Sequence, residues 1–176
     1  MKIRQSVLAL CAAVGAFAGP VFAFDMPARK PGLWEIHSGD ASGKTPAATM
    51  QQCIDAASDK AMQDRAQGMA QSLGKDACSQ DVHAQNGSQI TIDSVCKIGT
   101  TTATTHTVVS GDFNSAYRMD RKASYNPPLM GRSESATTME AKWLGPCKAD
   151  QKPGDMVMPN GTKVNMLEMM AGRPKK

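Results

Sequence analysis

The segment from Cys78 to Cys96, with Asn86-Gly87 near its middle, limits what this chain can fold into more than any other stretch. An Asn-Gly pair between alternating runs marks a β-hairpin, because both residues tolerate the positive φ that tight hairpin turns require. A three-residue loop, Asn86-Gly87-Ser88, places Cys78 opposite Cys96, Gln80 opposite Ser94, Val82 opposite Ile92 and Ala84 opposite Ile90. Val82, Ile90, Ile92 and both cysteines then share one face, while Asp81, His83, Gln85, Gln89, Thr91 and Asp93 share the other. A two-residue loop would slip the pairing by one and send the cysteines to opposite faces. Residues opposed across an antiparallel pair lie about 4.5 to 5.5 Å apart, a spacing that a disulfide bridges. The expected bonds are Cys78 to Cys96 and, by elimination, Cys53 to Cys147, one of the three pairings that four cysteines allow.

Such pairing presumes an oxidising compartment, and the N-terminus agrees. Residues 1–23 combine a basic start (Lys2, Arg4), an apolar run from Val7 to Phe17, and Gly19-Pro20 ahead of Val21-Phe22-Ala23. This is the three-part pattern of a cleavable secretory signal, with the cut expected after Ala23 and the periplasm as destination. The apolar run is well short of the roughly 20 residues a membrane-spanning helix needs, and Pro20 interrupts its end, so no membrane anchor is expected after cleavage. Cys11 lies inside that run and leaves with it. The four remaining cysteines are an even number without a Cys-x-x-Cys pair, which fits structural bonds and argues against a redox motif or a zinc ribbon. Removing 23 of 176 residues leaves a length suited to one domain with a real core. Loss of Lys2 and Arg4 lowers the net charge from +4 to +2, which offers no electrostatic case for nucleic acid.

Along the mature chain, Gly32 to His37 alternates, with Trp34 and Ile36 on one face, and a second short strand is expected from Ala48 to Cys53. Between Asp55 and Leu73 the period becomes helical: Met62, Ala66, Met69, Ala70 and Leu73 form one stripe, with Asp55 or Ser58 as the cap. Thr100 to Val109 is β-prone, Ser110-Gly111-Asp112 reads as a turn, Phe113 to Tyr125 alternates, Asn126 to Gly131 reads as a loop, and Arg132 to Leu144 as a last long strand. Beyond Cys147, Asn160-Gly161 suggests a small hairpin, with Asn165 capping a helical turn through Met170. The expected fold class is α+β, mainly antiparallel β: a twisted or curved meander sheet with one amphipathic helix and two disulfides. A disulfide-braced β-rich domain would cover residues 24–147, followed by a Met-rich, partly ordered segment over residues 148–176.

Lys30-Pro31-Gly32-Leu33-Trp34-Glu35, Gln52-Cys53-Ile54, the middle cysteine pair and Trp143-Leu144-Gly145-Pro146-Cys147 together resemble the Gram-negative envelope family catalogued as domain of unknown function 3617. The resemblance spans about Pro31 to Cys147. It implies export, cysteine pairing and a single domain, and supplies no catalytic residues.

Three stretches of the sequence carry residue types suited to chemistry. Gly39-Asp40-Ala41-Ser42-Gly43-Lys44-Thr45 ends like a phosphate-binding loop, yet Ser38 stands where the motif needs glycine, so a turn is expected. His37, His83 and His106 lie in no nucleophile or metalloprotease motif, so no catalytic residue is assigned and a hydrolase with an unrecognised site is the weakest reading. Met156, Met158, Met166, Met169 and Met170 offer soft thioethers that suit Cu(I), against the alternative that methionine fills irregular gaps in a core. No cofactor is expected. The leading expectation is a non-enzymatic periplasmic protein that binds a small apolar ligand or an envelope partner on the concave face of its sheet.

Overall fold

The computed structural model describes residues 26–41, 43, 46–71, 77–85 and 88–172. The secretory signal expected over residues 1–23 and the Asn86-Gly87 pair lie outside them. The chain builds β1 (Gly32–Asp40), β2 (Ala48–Ile54), α1 (Ala56–Gln71), β3 (Cys78–Gln85), β4 (Gln89–Ile98), β5 (Thr101–Gly111), β6 (Ala116–Leu129), β7 (Arg132–Gly145), β8 (Asp155–Val157), β9 (Lys163–Asn165) and α2 (Met166–Met170). Nine strands form one open sheet in the order β3-β4-β5-β6-β7-β1-β2-β8-β9, with every pair antiparallel. A five-stranded meander, β3 to β7, therefore returns to pair with β1, the first strand.

The β3–β4 hairpin has the expected register: Cys78 faces Cys96, Val82 faces Ile92 and Gln85 faces Gln89, which leaves three residues for the loop. Both disulfides are those expected, Cys53–Cys147 and Cys78–Cys96. One face of the sheet carries the core, in which Trp34, Ile36, Ile54, Ile90, Val109, Phe113, Tyr117 and Ala141 form one buried cluster. Tyr117 is stacked on Phe113 with ring centroids 5.1 Å apart, and is tilted against Trp34.

Three expectations need correction. The helix docks through only the start of its predicted apolar stripe: Met62 packs against the core cluster, but Ala66 is exposed and Met69 is 63 % exposed, while the side chains of Ala70 and Leu73 lie outside the described residues. Its main fastening is at its first turn, where Ser58 and Asp59 are buried. Asp55 and Ser58 cap it reciprocally, the Ser58 amide donating to Asp55 Oδ1 (2.7 Å) and the Asp55 amide to Ser58 Oγ (2.8 Å). Asp59 then accepts from the Arg29 Nε (2.8 Å) and backbone amide (2.9 Å), while Arg29 Nη1 also donates to Gln52 Oε1 (3.1 Å). A buried ion pair thus holds the helix and the lead into β1 against β2. Second, Asn126 to Leu129 is strand rather than loop: Asn126 pairs with Thr102, and Leu129 with Arg132 around a two-residue turn. Proline favours extended backbone, and past the end of β5 no neighbour needs the amides that Pro127 and Pro128 lack. Third, the turn expected at Ser110-Gly111-Asp112 falls later, at Asp112 to Ser115, because β5 runs on to Gly111.

The C-terminal segment joins the same sheet. β8 pairs with β2 and with β9, and the Asn165 side chain caps α2 by accepting from the Glu168 amide (3.0 Å). Gly39 and Asp40 end β1, and the next element is β2; residues 42, 44 and 45 of the phosphate-loop-like stretch lie outside the described residues. A strand-to-strand connection lacks the helix N-terminus that phosphate binding uses.

Candidate functional site

Three of the four motifs that carry the family resemblance meet at one structural joint, while the Cys78–Cys96 pair lies at the far edge of the sheet. Trp34 lies opposite Trp143 on one side and Gln52 on the other, and Leu33 lies opposite Cys53 and Gly145. Both indoles donate to the lead: Trp34 Nε1 to the Lys30 carbonyl (2.8 Å) and Trp143 Nε1 to the Pro31 carbonyl (3.1 Å), with the Lys30 ammonium 3.6 Å from the Trp143 ring centroid. Gly32 has φ 136°, and a Cβ there would lie 2.5 Å from Trp143 Nε1 and closer still to the Gly145 carbonyl. Only glycine permits that approach. Cys53–Cys147 closes the same corner. These short motifs brace the start of β1 against β2 and β7.

The three histidines share the solvent-facing side of the sheet, each beside a carboxylate. His106 Nδ1 is 2.7 Å from Asp93, His83 Nε2 is 3.2 Å from Asp81, and His37 contacts Glu35 (3.2 Å) and Thr49 Oγ1 (2.8 Å). Thr49, His37 and Glu35 imitate the hydroxyl, base and orienting acid of a hydrolase. They stand on a solvent-facing stretch of β1 and β2 whose register is fixed by pairing with each other and with β7. No group of three or more His, Cys, Asp or Glu among the described residues is placed to hold a metal ion. The five methionines spread along β8, its following turn and α2; Met156, Met158, Met166 and Met170 are half-buried, and Met169 is 62 % exposed.

The larger recess lies elsewhere on the polar face, over β5, β6 and β7. It encloses about 710 Å³. Two cross-strand rungs form its floor: Thr104 opposite Ser124 opposite Glu134, and His106 opposite Lys122 opposite Ala136. Asp40, at the end of β1, closes one side. The wall therefore carries both signs of charge and several hydroxyls. Beyond it the β6–β7 hairpin projects past Thr102, the last β5 residue to pair with β6, and ends in Leu129-Met130-Gly131. Met130 is 98 % exposed and has φ 51°, a left-handed conformation that bulky side chains seldom adopt. A neighbouring network below the recess is self-contained: Arg118 pairs with Glu140 and, at 2.7 Å, with Asp120, which also accepts from Thr138 (2.8 Å). The Arg118 hydrogen bond holds the Asp120 carboxyl below its ordinary range.

A second, smaller recess of about 310 Å³ lies among the C-terminal elements. Its charges are matched internally, Lys152 to Glu168 (2.5 Å) and Lys163 to Asp150 (3.6 Å). The residues of the larger recess, Lys122, Glu134, Ser124 and Asp40, carry no motif. Polar alternation in β6 and β7 was the only signal for the first three, and the register of two hairpins together with the long-range pairing of β1 with β7 brings all four together.

Residues 29–147 match the family model described as protein of unknown function (DUF3617). Neither a curated protein nor a solved structure matches the chain.

Proposed function

The chain belongs to the DUF3617 family, and from that premise we propose that it is an exported, non-enzymatic binding protein whose envelope partner docks at the β5–β6–β7 recess and the adjoining hairpin tip. The observation that carries this reading is the pairing of a mixed-charge recess with Met130, a large apolar side chain held in strained backbone in full contact with water. Strain and apolar exposure persist where something other than folding selects them. A small apolar ligand is the less favoured occupant, because the apolar face is filled by the protein's own cluster and the recess is lined by charges and hydroxyls. Export itself rests on the signal-like residues 1–23 and the two disulfides.

Photo-crosslinking side chains placed at Ser124 and Met130, with Lys97 as a control on β4, test the site in cells that export the protein. A discrete adduct at both positions, absent at Lys97 and reduced by Lys122→Glu, is expected. Adducts at none of the three, or equally at all, would overturn the proposal. Native mass spectrometry of the oxidised protein separates the other occupants: an organic adduct favours a small ligand, and bound copper favours the Met-rich segment.

A further inference from the structure

The two edges of the sheet are unlike. β9 has three residues, carries Lys163 and runs straight into α2, so it is protected by shortness and charge. β3 has eight residues, and among the described residues only β4 pairs with it. The Cys78–Cys96 bond staples one end of β3 to β4, which restrains the edge against fraying. An eight-residue edge of this kind is a template for a further strand.

Its side chains select which strand. Asp81 and His83 point to the polar face and are exposed, with Val82 between them half-buried against the core. Against an arbitrary strand the two charges are a barrier. Against a second copy of β3, antiparallel and centred on Val82, they become complementary: Asp81 falls opposite His83 of the second copy, and His83 opposite its Asp81. Slipping the register by two residues, which moves the centre to Asp81 or His83, sets Asp81 against Asp81 or His83 against His83. Slipping the register by one puts the core face of the second copy on the wrong side of the sheet. Within its own strand Asp81 already has His83 Nε2 at 3.2 Å, and the second copy would add a further imidazole on its open side. On β4 Asp81 faces Asp93, a like charge directly opposite, whose partner is His106 at 2.7 Å. An imidazole from a second copy would flank Asp81 as His106 flanks Asp93.

We propose that β3 pairs with β3 of a second copy about a twofold axis at Val82, joining two nine-stranded sheets into one. The test is sedimentation equilibrium of the purified oxidised protein over a wide concentration range, with D81K, H83D and the D81K/H83D double variant. Reversible dimers are expected. H83D sets two carboxylates opposite one another twice across the axis, and D81K replaces each carboxylate–imidazole pair by an ammonium facing an imidazole, two donors with no acceptor between them; each should weaken the dimer by about tenfold or more. The double variant restores opposite charges and should return the affinity to within about threefold of the parent. Both changes lie on exposed positions, and D81K also removes the like-charge pair with Asp93, so folding should persist; circular dichroism checks it. A monomer at every concentration overturns the proposal and leaves the edge to a strand of another protein. Dimers indifferent to the single changes, or a double variant as weak as the singles, overturn it as well.

Discussion

At the scale of single residues, two polar side chains hold what apolar packing does not. Asp59 is 1 % exposed, and its charge is balanced by Arg29 at 2.7 Å, itself largely buried. Arg29→Ala would strand that carboxylate. Breaking a buried pair from one side costs about 3 to 5 kcal/mol, whereas replacing both partners by apolar residues of similar volume is often neutral. Urea unfolding should therefore show Arg29→Ala well below the parent, with an Arg29→Met/Asp59→Leu double variant recovering most of the difference. Asp112 does comparable work in the turn before β6, accepting from the backbone amides of Asn114 and Ser115 and from the Ser115 hydroxyl, all within 2.9 Å. These bonds, led by the Ser115 amide, hold its carboxyl far below the ordinary value near 3.8. A carboxylate lowered on folding contributes stability that is present above its unfolded value and is lost as pH falls towards the folded one. Asp112→Ala should accordingly be less stable than the parent at neutral pH, with the gap closing below about pH 4. The same turn holds Phe113 at φ 58° and buried, so the strain of one residue is carried by the hydrogen bonds of its neighbour.

At the scale of elements, the two disulfides do different work. Cys78–Cys96 closes a separation of 18 residues within one hairpin, and Cys53–Cys147 closes 94, from β2 to the chain beyond β7. In the chain-entropy account the short loop is worth about 3 kcal/mol and the long one more than about 4. Replacing Cys53 and Cys147 together by serine should lower the melting temperature more than replacing Cys78 and Cys96. An equal or reversed order would mean that the hairpin staple governs the fold. Hairpin register was legible because it follows from local rules. Three loop residues and a period of two place Val82 against Ile92 without reference to the rest of the chain. The cap of α2 by Asn165 was legible for the same reason. The docking of α1 was not, because Arg29 and Asp59 are 30 residues apart and a stripe of small and flexible side chains imitates an amphipathic face without enough apolar area to bury.

At the scale of the whole molecule, the segment after Cys147 completes the sheet. β8 covers β2, and the Gly154 amide donates to the Cys53 carbonyl (2.9 Å) while the Met166 amide donates to the Gly154 carbonyl (2.8 Å). A chain ended after Cys147 would retain the family-matched residues yet expose β2 as a seven-residue edge. Such an edge pairs readily with other chains. We expect that truncated form to aggregate on heating in static light scattering, where the parent scatters little. What the sequence determined by itself was whatever depends on neighbours along the chain: the strand alternation, the hairpin register, the cysteine partners that follow from it, the caps, and the family. The tertiary structure alone decided which residues face each other across distant strands. The joint of Gly32, Trp34, Trp143 and Cys147, the ion pair under α1, and the recess of Asp40, Lys122 and Glu134 all bring together segments whose separation in sequence leaves no periodic trace. Their order in the sheet, with β1 between β7 and β2, is what creates them.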